Sequence, residues 1–185
     1  MDNNLTYRKC TKEDKEQLIT LITGVLTELE STKCKEFFRP RSKKDFDIMC
    51  DDEYSIVFGA FDGEKLAGMA QLFVGQERFA DYKKYLGIKN ENICEFGGCM
   101  VAPDYRGIGV QKVLIKMRFN AARELGFNRS VATVHPDNKP SETNLLNAGF
   151  VPVKDIKIKI DEDTYWPRIL MLKELNKTKE IDNNL

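Results

Sequence analysis

Val101-Ala102-Pro103-Asp104-Tyr105-Arg106-Gly107-Ile108-Gly109-Val110-Gln111 is the stretch on which the reading of this chain turns. The apolar run before it, Ile93 to Met100, reads as a buried strand that Val101 completes. After it, Val110, Val113, Leu114, Met117, Ala121 and Leu125 recur on one face of a helix. A strand, a glycine-containing turn and a helix start together make an anion seat. The first amides of a helix lack internal partners, and the helix dipole adds partial positive charge there. Gly107 and Gly109 permit positive φ and present no Cβ, so a phosphate can approach the backbone. Arg106 adds a guanidinium fork suited to phosphate. Taken alone, R-G-x-G also describes a plain strand-to-helix turn. The third glycine of a dinucleotide fingerprint and the G-K-[ST] of a P-loop are both missing.

Composition sets the frame around that stretch. A chain of 185 residues suits one domain with a sizeable core. Lys+Arg and Asp+Glu each count 29, so the formal charge is zero, which argues against a general nucleic-acid binder. No stretch has the length of a membrane span, and Met1-Asp2-Asn3-Asn4 does not begin a secretory signal. The five cysteines, at 10, 34, 50, 94 and 99, form no C-x-x-C pair and fit reduced thiols in a cytoplasm. One histidine and unpaired cysteines make a structural zinc site a poor fit, and no metal is expected.

Leu5 to Cys10 reads as a strand, and Thr11 with Asp14 as the start of a helix whose buried face runs from Leu18 to Leu29. Residues 31–41 form a loop carrying Phe37-Phe38-Arg39-Pro40-Arg41, and Ser42 caps a short helix to about Cys50. Tyr54–Phe61 and Lys65–Val74 make a hairpin around Asp62-Gly63. Residues 76–92 are long for a connection; a short helix bearing Phe79, Tyr82 and Leu86 fits there, lying over a binding site, and disorder or plain packing is the competing reading. In the strand Ile93–Val101, alternation puts Glu95, Gly97, Cys99 and Val101 on one face, and Gly97-Gly98 signals a bulge or a close approach. A strand at Arg129–Val134, a turn at His135–Pro140 and a short helix at Ser141–Asn147 follow, the helix closed by Gly149. Phe150–Ile160 and Tyr165–Leu172 form a last hairpin, with Trp166-Pro167 pointing to an edge or a late start for the final strand. One domain spans residues 1–175, and the polar residues 176–185 are expected to fray.

The central turn resembles the acyl-CoA-binding turn of the GNAT superfamily of acetyltransferases. The family pattern V-x-P-x-x-R-G-x-G-x-[GA] is matched at every position but the last, where Gln111 stands for the small residue. The element order β-α-α-β-β-β-α-β-α-β-β fits that family along nearly the whole chain. The resemblance implies an α/β (α+β) fold: a mixed, mostly antiparallel sheet of six to seven strands, helices on both faces, and splayed central strands. It implies an acetyl-CoA-dependent N-acetyltransferase acting on a primary amine by direct attack. The acceptor is open among a small molecule, an amino acid and a protein amine. It implies acetyl-CoA as cosubstrate, and leaves a homodimer open.

Residue by residue, the resemblance assigns the pyrophosphate to Arg106 and the amides of Gly107, Ile108, Gly109, Val110 and Gln111. Backbone groups of Met100 and Val101 would pair with the pantetheine arm, and Asn138 matches the asparagine that commonly contacts it. Ser141 and Asn144 lie three apart on one side of the next helix and join that group. Glu95 is the candidate general base, because an amine with a pKa of roughly 10 must lose a proton before attack. A structural carboxylate is the competing reading for Glu95. Leu145 occupies the position where many family members place a tyrosine that protonates the departing thiolate; Tyr54, Tyr105 and Tyr165 are candidate substitutes. Cys99, on the same predicted face as Glu95, raises a covalent route that the family does not use. Arg39, Arg41 and Arg168 could receive an acceptor carboxylate. Two further readings remain: a non-catalytic acyl-CoA-binding module, suggested by Leu145, and a protein that binds another phosphorylated ligand through the turn alone.

Overall fold

A computed structural model of the chain describes residues 5–89 and 91–175. The tail expected to fray, 176–185, lies outside the described residues. Twelve regular elements follow in order: β1 (Thr6–Lys9), α1 (Lys15–Glu30), α2 (Lys43–Ile48), β2 (Ser55–Asp62), β3 (Lys65–Phe73), α3 (Ala80–Leu86), β4 (Ile93–Val101), α4 (Val110–Glu124), β5 (Arg129–Val134), α5 (Lys139–Asn147), β6 (Val151–Lys159) and β7 (Tyr165–Glu174). The connection at 76–92 does hold the expected helix, preceded by a 3-10 turn over Gln76–Phe79.

One seven-stranded sheet has the order β1-β2-β3-β4-β5-β7-β6. Every pair is antiparallel except β4–β5, which is parallel. Strand β2 shows how the two faces are used. Val57 packs with Leu18, Ile22 and Met49 of the α1–α2 side, while Phe58 and Ala60 pack with Val110 and Leu114 of α4. Alternation along one strand therefore feeds two cores, with helices on both faces.

The parallel pair is short. β4 and β5 are in register only from Ile93↔Arg129 to Phe96↔Ala132, while β4 runs on to Val101 and β5 to Val134. Beyond Phe96 the two strands part, and among the described residues β4 pairs over Cys99–Val101 with β3 alone. The splay is therefore a fork with Phe96 and Ala132 at its crotch.

Three expectations change. The pairing of β3 with β4 slips between Ala70/Leu72, so that Gly97 and Gly98 together oppose Gln71. That bulge reverses the alternation. Cys94 and Phe96 pack with Ile115 and Phe119 on the α4 side; past the bulge, Cys99 and Val101 lie on that side too. Ile93, which shares the face of Glu95, packs with Phe73 and Phe79 instead. Glu95 and Cys99 thus face opposite ways. Second, α4 buries Val110, Leu114, Ile115, Arg118, Phe119 and Ala122, whereas Val113 and Leu125 are exposed. The buried stripe is turned by about one residue, because Ile115 and Phe119 offer more apolar area than Val113 and Leu125. Third, the final strand is internal. Pro167 is tolerated because β5 pairs with β7 only from Ile169 onward, so on that side Pro167 forfeits no sheet hydrogen bond.

Candidate active site

The fork and the turn after it are lined by two adjoining cavities. Arg106 bonds its N–H to the Pro103 carbonyl, and the chain then passes through Gly107 and Gly109 at φ of 80° and 89°. Both are left-handed, and a Cβ at either would meet nothing within 4 Å, so glycine is required by the backbone rather than by crowding. α4 starts at Val110, and the N–H groups of Gly107, Ile108, Gly109, Val110 and Gln111 donate to no acceptor among the described residues. Five outward amides at the positive end of a 15-residue helix suit an anion.

A cavity of about 510 Å³ opens beside this turn. Its walls hold every residue expected to contact the cosubstrate except Ile108, whose side chain points to solvent. Side chains within that group have specific partners. Asn138 caps α5, its Oδ1 accepting from the Ser141 N–H at 3.3 Å. Asn144 Nδ2 donates to Gln111 Oε1 at 2.7 Å. Arg106 is turned away from the turn. Its Nη1 and Nη2 bond the Glu28 carboxylate at 2.8 and 2.6 Å, and its Nε donates to the Val101 carbonyl at 3.0 Å. That pair raises the Arg106 pKa and lowers that of Glu28. The family arginine therefore braces the turn from α1, instead of adding a free charge.

A second cavity, of about 160 Å³, continues past the fork and shares Phe37, Phe38, Cys99, Met100, Gln111, Asn138 and Ser141 with the first. Glu95 lines it, one residue before the last β4–β5 pair, only 5% exposed. The Tyr82 hydroxyl of α3 donates to Glu95 Oε1 at 3.2 Å. Gly97 needs its missing side chain: a Cβ there would stand 2.3 Å from the Phe73 ring. Phe37, Phe38, Arg39 and Arg41 of the 31–41 loop line the same space.

Of the candidate acids, Tyr105 donates to Asp62 Oδ2 at 2.7 Å, and Tyr165 is half exposed on β7. Neither Tyr54 nor Tyr165 lines either cavity. Leu145 is buried in the α4-side core and lines the smaller cavity. The phenol that reaches this cavity is Tyr82. His135, which also lines this cavity, is held in place: its Nδ1 accepts from the Asp137 N–H at 3.1 Å and its Nε2 lies 3.6 Å from the Glu36 carboxylate. Burial pushes the Cys99 thiol pKa up, which disfavours a nucleophilic thiolate.

One residue was missed. Arg118 of α4 is 1% exposed and lines the smaller cavity. Its Nη1 donates to the Gly97 carbonyl at 3.2 Å, its Nε to the Leu114 carbonyl at 3.3 Å, and its guanidinium lies over the Phe96 ring at 4.5 Å. Burial pushes its pKa down. The signal was present: Arg118 falls four and eight residues after Leu114 and Val110, inside the apolar stripe. Among the described residues there is no cluster of ligating side chains able to hold a metal, and no helix long and apolar enough to cross a membrane.

Comparison with known proteins places this geometry. The acetyltransferase (GNAT) family profile matches residues 26–150. A comparison with curated proteins found no significant match. Among solved structures, yncA from Salmonella typhimurium with its cofactor acetyl-CoA superposes with a TM-score of 0.70 at 18% identity, covering 98% of this chain and 100% of that one. NAA60 from Arabidopsis thaliana in complex with acetyl-CoA gives 0.72 at 14% identity, over 92% of this chain and 98% of that one. The ribosomal-protein-S18-alanine N-acetyltransferase from Escherichia coli gives 0.67 at 15%, over 96% and 97%.

Proposed function

The chain belongs to the acetyltransferase (GNAT) family, and on that premise we propose that it is an N-acetyltransferase that moves an acetyl group from acetyl-CoA to a primary amine in a ternary complex. The observation that carries this reading is the fork: β4 leaves β5 after Phe96, and the freed edge leads straight to five unpartnered amides. A pantetheine arm offers amides for the edge, and a pyrophosphate offers charge for the turn. The residues proposed to hold them are Met100, Val101, the Gly107–Gln111 backbone, Asn138, Ser141 and Asn144. In this reading Gln111 and Asn144 act as a bonded pair, and Arg106 acts through Glu28. We assign the catalytic domain to residues 1–175. Five unpaired cysteines support a reducing, cytoplasmic setting.

Bound acetyl-CoA supplies an activated acetyl group and a thiol to expel. Glu95 takes the proton that the acceptor ammonium must lose, directly or through one water, and Tyr82 holds that carboxylate by its hydroxyl. The N–H at Met100 or Val101 polarises the acetyl carbonyl. The new C–N bond forms as the C–S bond breaks. With Leu145 in place of a phenol, the second proton that the nitrogen sheds as the amide forms reaches the departing thiolate through water. Thiols have a pKa of about 8.5, so this step needs no strong acid.

Steady-state turnover of acetyl-CoA against an amine panel tests the reading. Tight CoA binding without turnover would remove the catalytic half and favour a second reading, a non-catalytic acyl-CoA sensor. Leu145, buried where the family's tyrosine stands, is what supports that alternative.

A further inference from the structure

Two buried guanidiniums in the smaller cavity have no role in the transfer just described. Arg168 is 4% exposed and Arg118 is 1% exposed. Arg168 Nη1 donates to the Pro167 carbonyl at 2.7 Å and Nη2 to the Glu36 carbonyl at 2.8 Å. Arginine has five donors, so three N–H bonds of Arg168 remain. Among the described residues, neither guanidinium has a carboxylate within 4.0 Å. Buried charges are ordinarily paired, because desolvating an unpaired one is costly.

The wall as a whole is cationic. Among the described residues, Arg39, Arg41, Arg118 and Arg168 line the cavity, against Glu95 as its one lining carboxylate. The nearby Glu36 carboxylate lies 3.6 Å from His135 Nε2 and also acts on Arg168 from beyond ion-pair distance, only partly offsetting the desolvation that pushes the Arg168 pKa down. Arg41 reaches the bulge of β4: its Nη2 would be 3.4 Å from a Cβ at Gly98, and it donates to Gln71 Oε1 at 3.1 Å. Position along the sheet sorts the arginines. Arg168 and Leu170 share a face of β7, and Leu170 packs with Ile93 and Phe73, on the Glu95 side. Arg118 enters from the α4 side, at the fork.

We propose that the acceptor is a small primary amine carrying a carboxylate, as an amino acid does, and that Arg168 receives that carboxylate while Glu95 faces the amine. The inference rests on the transfer reading above and deepens it. A cationic cavity disfavours an acceptor that brings only positive charge, such as a polyamine or a lysine in a basic peptide. An anionic tail reverses that balance. The same field lowers the amine's pKa, which helps Glu95 deliver it neutral. The apolar part of the acceptor would meet Phe37, Phe38 and Phe73.

The test is acetyl transfer to matched triplets: phenylalanine, methionine and leucine, their C-terminal amides, and their decarboxylated amines. The free acids should exceed the amides and amines in kcat/KM at least tenfold. Arg168→Gln should raise KM for the acids and bring the ratio near one, with CoA affinity by calorimetry unchanged. Arg168→Lys should restore part of the preference. Equal or better turnover of amides and decarboxylated amines by the unaltered protein would overturn the proposal while leaving the transfer reading intact. An equal loss on acids and amides in Arg168→Gln would also overturn it. Turnover with no amine in any form would overturn both.

Discussion

Asn144 on α5 donates to Gln111 on the first turn of α4 at 2.7 Å, across 33 positions of sequence. This contact accounts for the one departure in the turn motif, since Gln111 replaces a small residue and needs its long side chain anchored. It also explains an asparagine in mid-helix, where propensity disfavours it. A single such bond contributes about 1 kcal/mol. Gln111→Ala and Asn144→Ala should each lower stability by about that amount, and the double variant should be no worse than the poorer single. Urea unfolding of the four proteins measures the coupling. Strict additivity would mean that the bond is absent in solution.

The φ of 89° at Gly109 makes a second outcome specific. Alanine has open space there but pays about 1–2 kcal/mol for the left-handed backbone. Relaxation of that strain would turn the amides of the turn. Gly109→Ala should stay folded and bind CoA about tenfold more weakly, roughly 1.4 kcal/mol. The size of the CoA-induced rise in melting temperature reports this.

Glu95→Gln keeps the shape of the side chain and removes its basicity. A positioned general base typically contributes 10²–10⁴-fold, so kcat should fall by about 10² or more with CoA affinity retained. Stopped-time assays at fixed saturating acetyl-CoA check this. Retained turnover would return Glu95 to a structural carboxylate.

Cys99→Ala provides the complementary control. Cys99 faces the α4 side, away from Glu95, with its thiol pKa raised by burial. Turnover should stay within about threefold of the parent, because only a small apolar group is removed. A loss comparable to that of Glu95→Gln, with trapping of an acetyl-thioester on the protein by mass spectrometry, would demand a covalent route.

Away from the site, Asp14 gives a pH-dependent outcome. Its carboxylate accepts from Arg8 at 2.7 Å through both oxygens and from the Thr11 N–H at 2.8 Å, which fixes β1 to the start of α1. The Arg8 bond, helped by Thr11, holds its pKa below the usual aspartate range against opposing desolvation. The stabilisation is therefore present above the unfolded value of about 3.9 and is lost as pH falls through the lower folded value. Arg8 is half exposed, so solvent screens the pair. Asp14→Asn should cost about 1–2 kcal/mol at pH 7, with the gap closing below about pH 4. Denaturant curves at several pH values show it.

The strands and the turn were legible because their signals are local. Asp62-Gly63 names a hairpin, and Gly107 and Gly109 name left-handed backbone. The fork was inferred only through family likeness, since where β4 and β5 part depends on a register no local pattern encodes. Gly97-Gly98 announced a bulge, but not that the bulge would put Glu95 and Cys99 on opposite faces. Alternation is a rule for unbroken strands. Arg118 was passed over because a charge within an apolar stripe is normally solvated, and Arg106 was read as a phosphate ligand because Glu28 lies 78 positions away. Long-range partners of that kind are fixed by tertiary packing.

The central claim is that main-chain amides at the fork and the helix mouth hold an acylated thiol carrier. Backbone amide resonances of ¹⁵N-labelled protein, followed during titration with coenzyme A, test it most directly. Saturable shifts should concentrate at residues 98–101 and 107–111, and equal concentrations of ATP or NAD should leave them in place. If coenzyme A leaves those amides unmoved, or if all three ligands shift them alike, the fork and the turn do not form an acyl-CoA site.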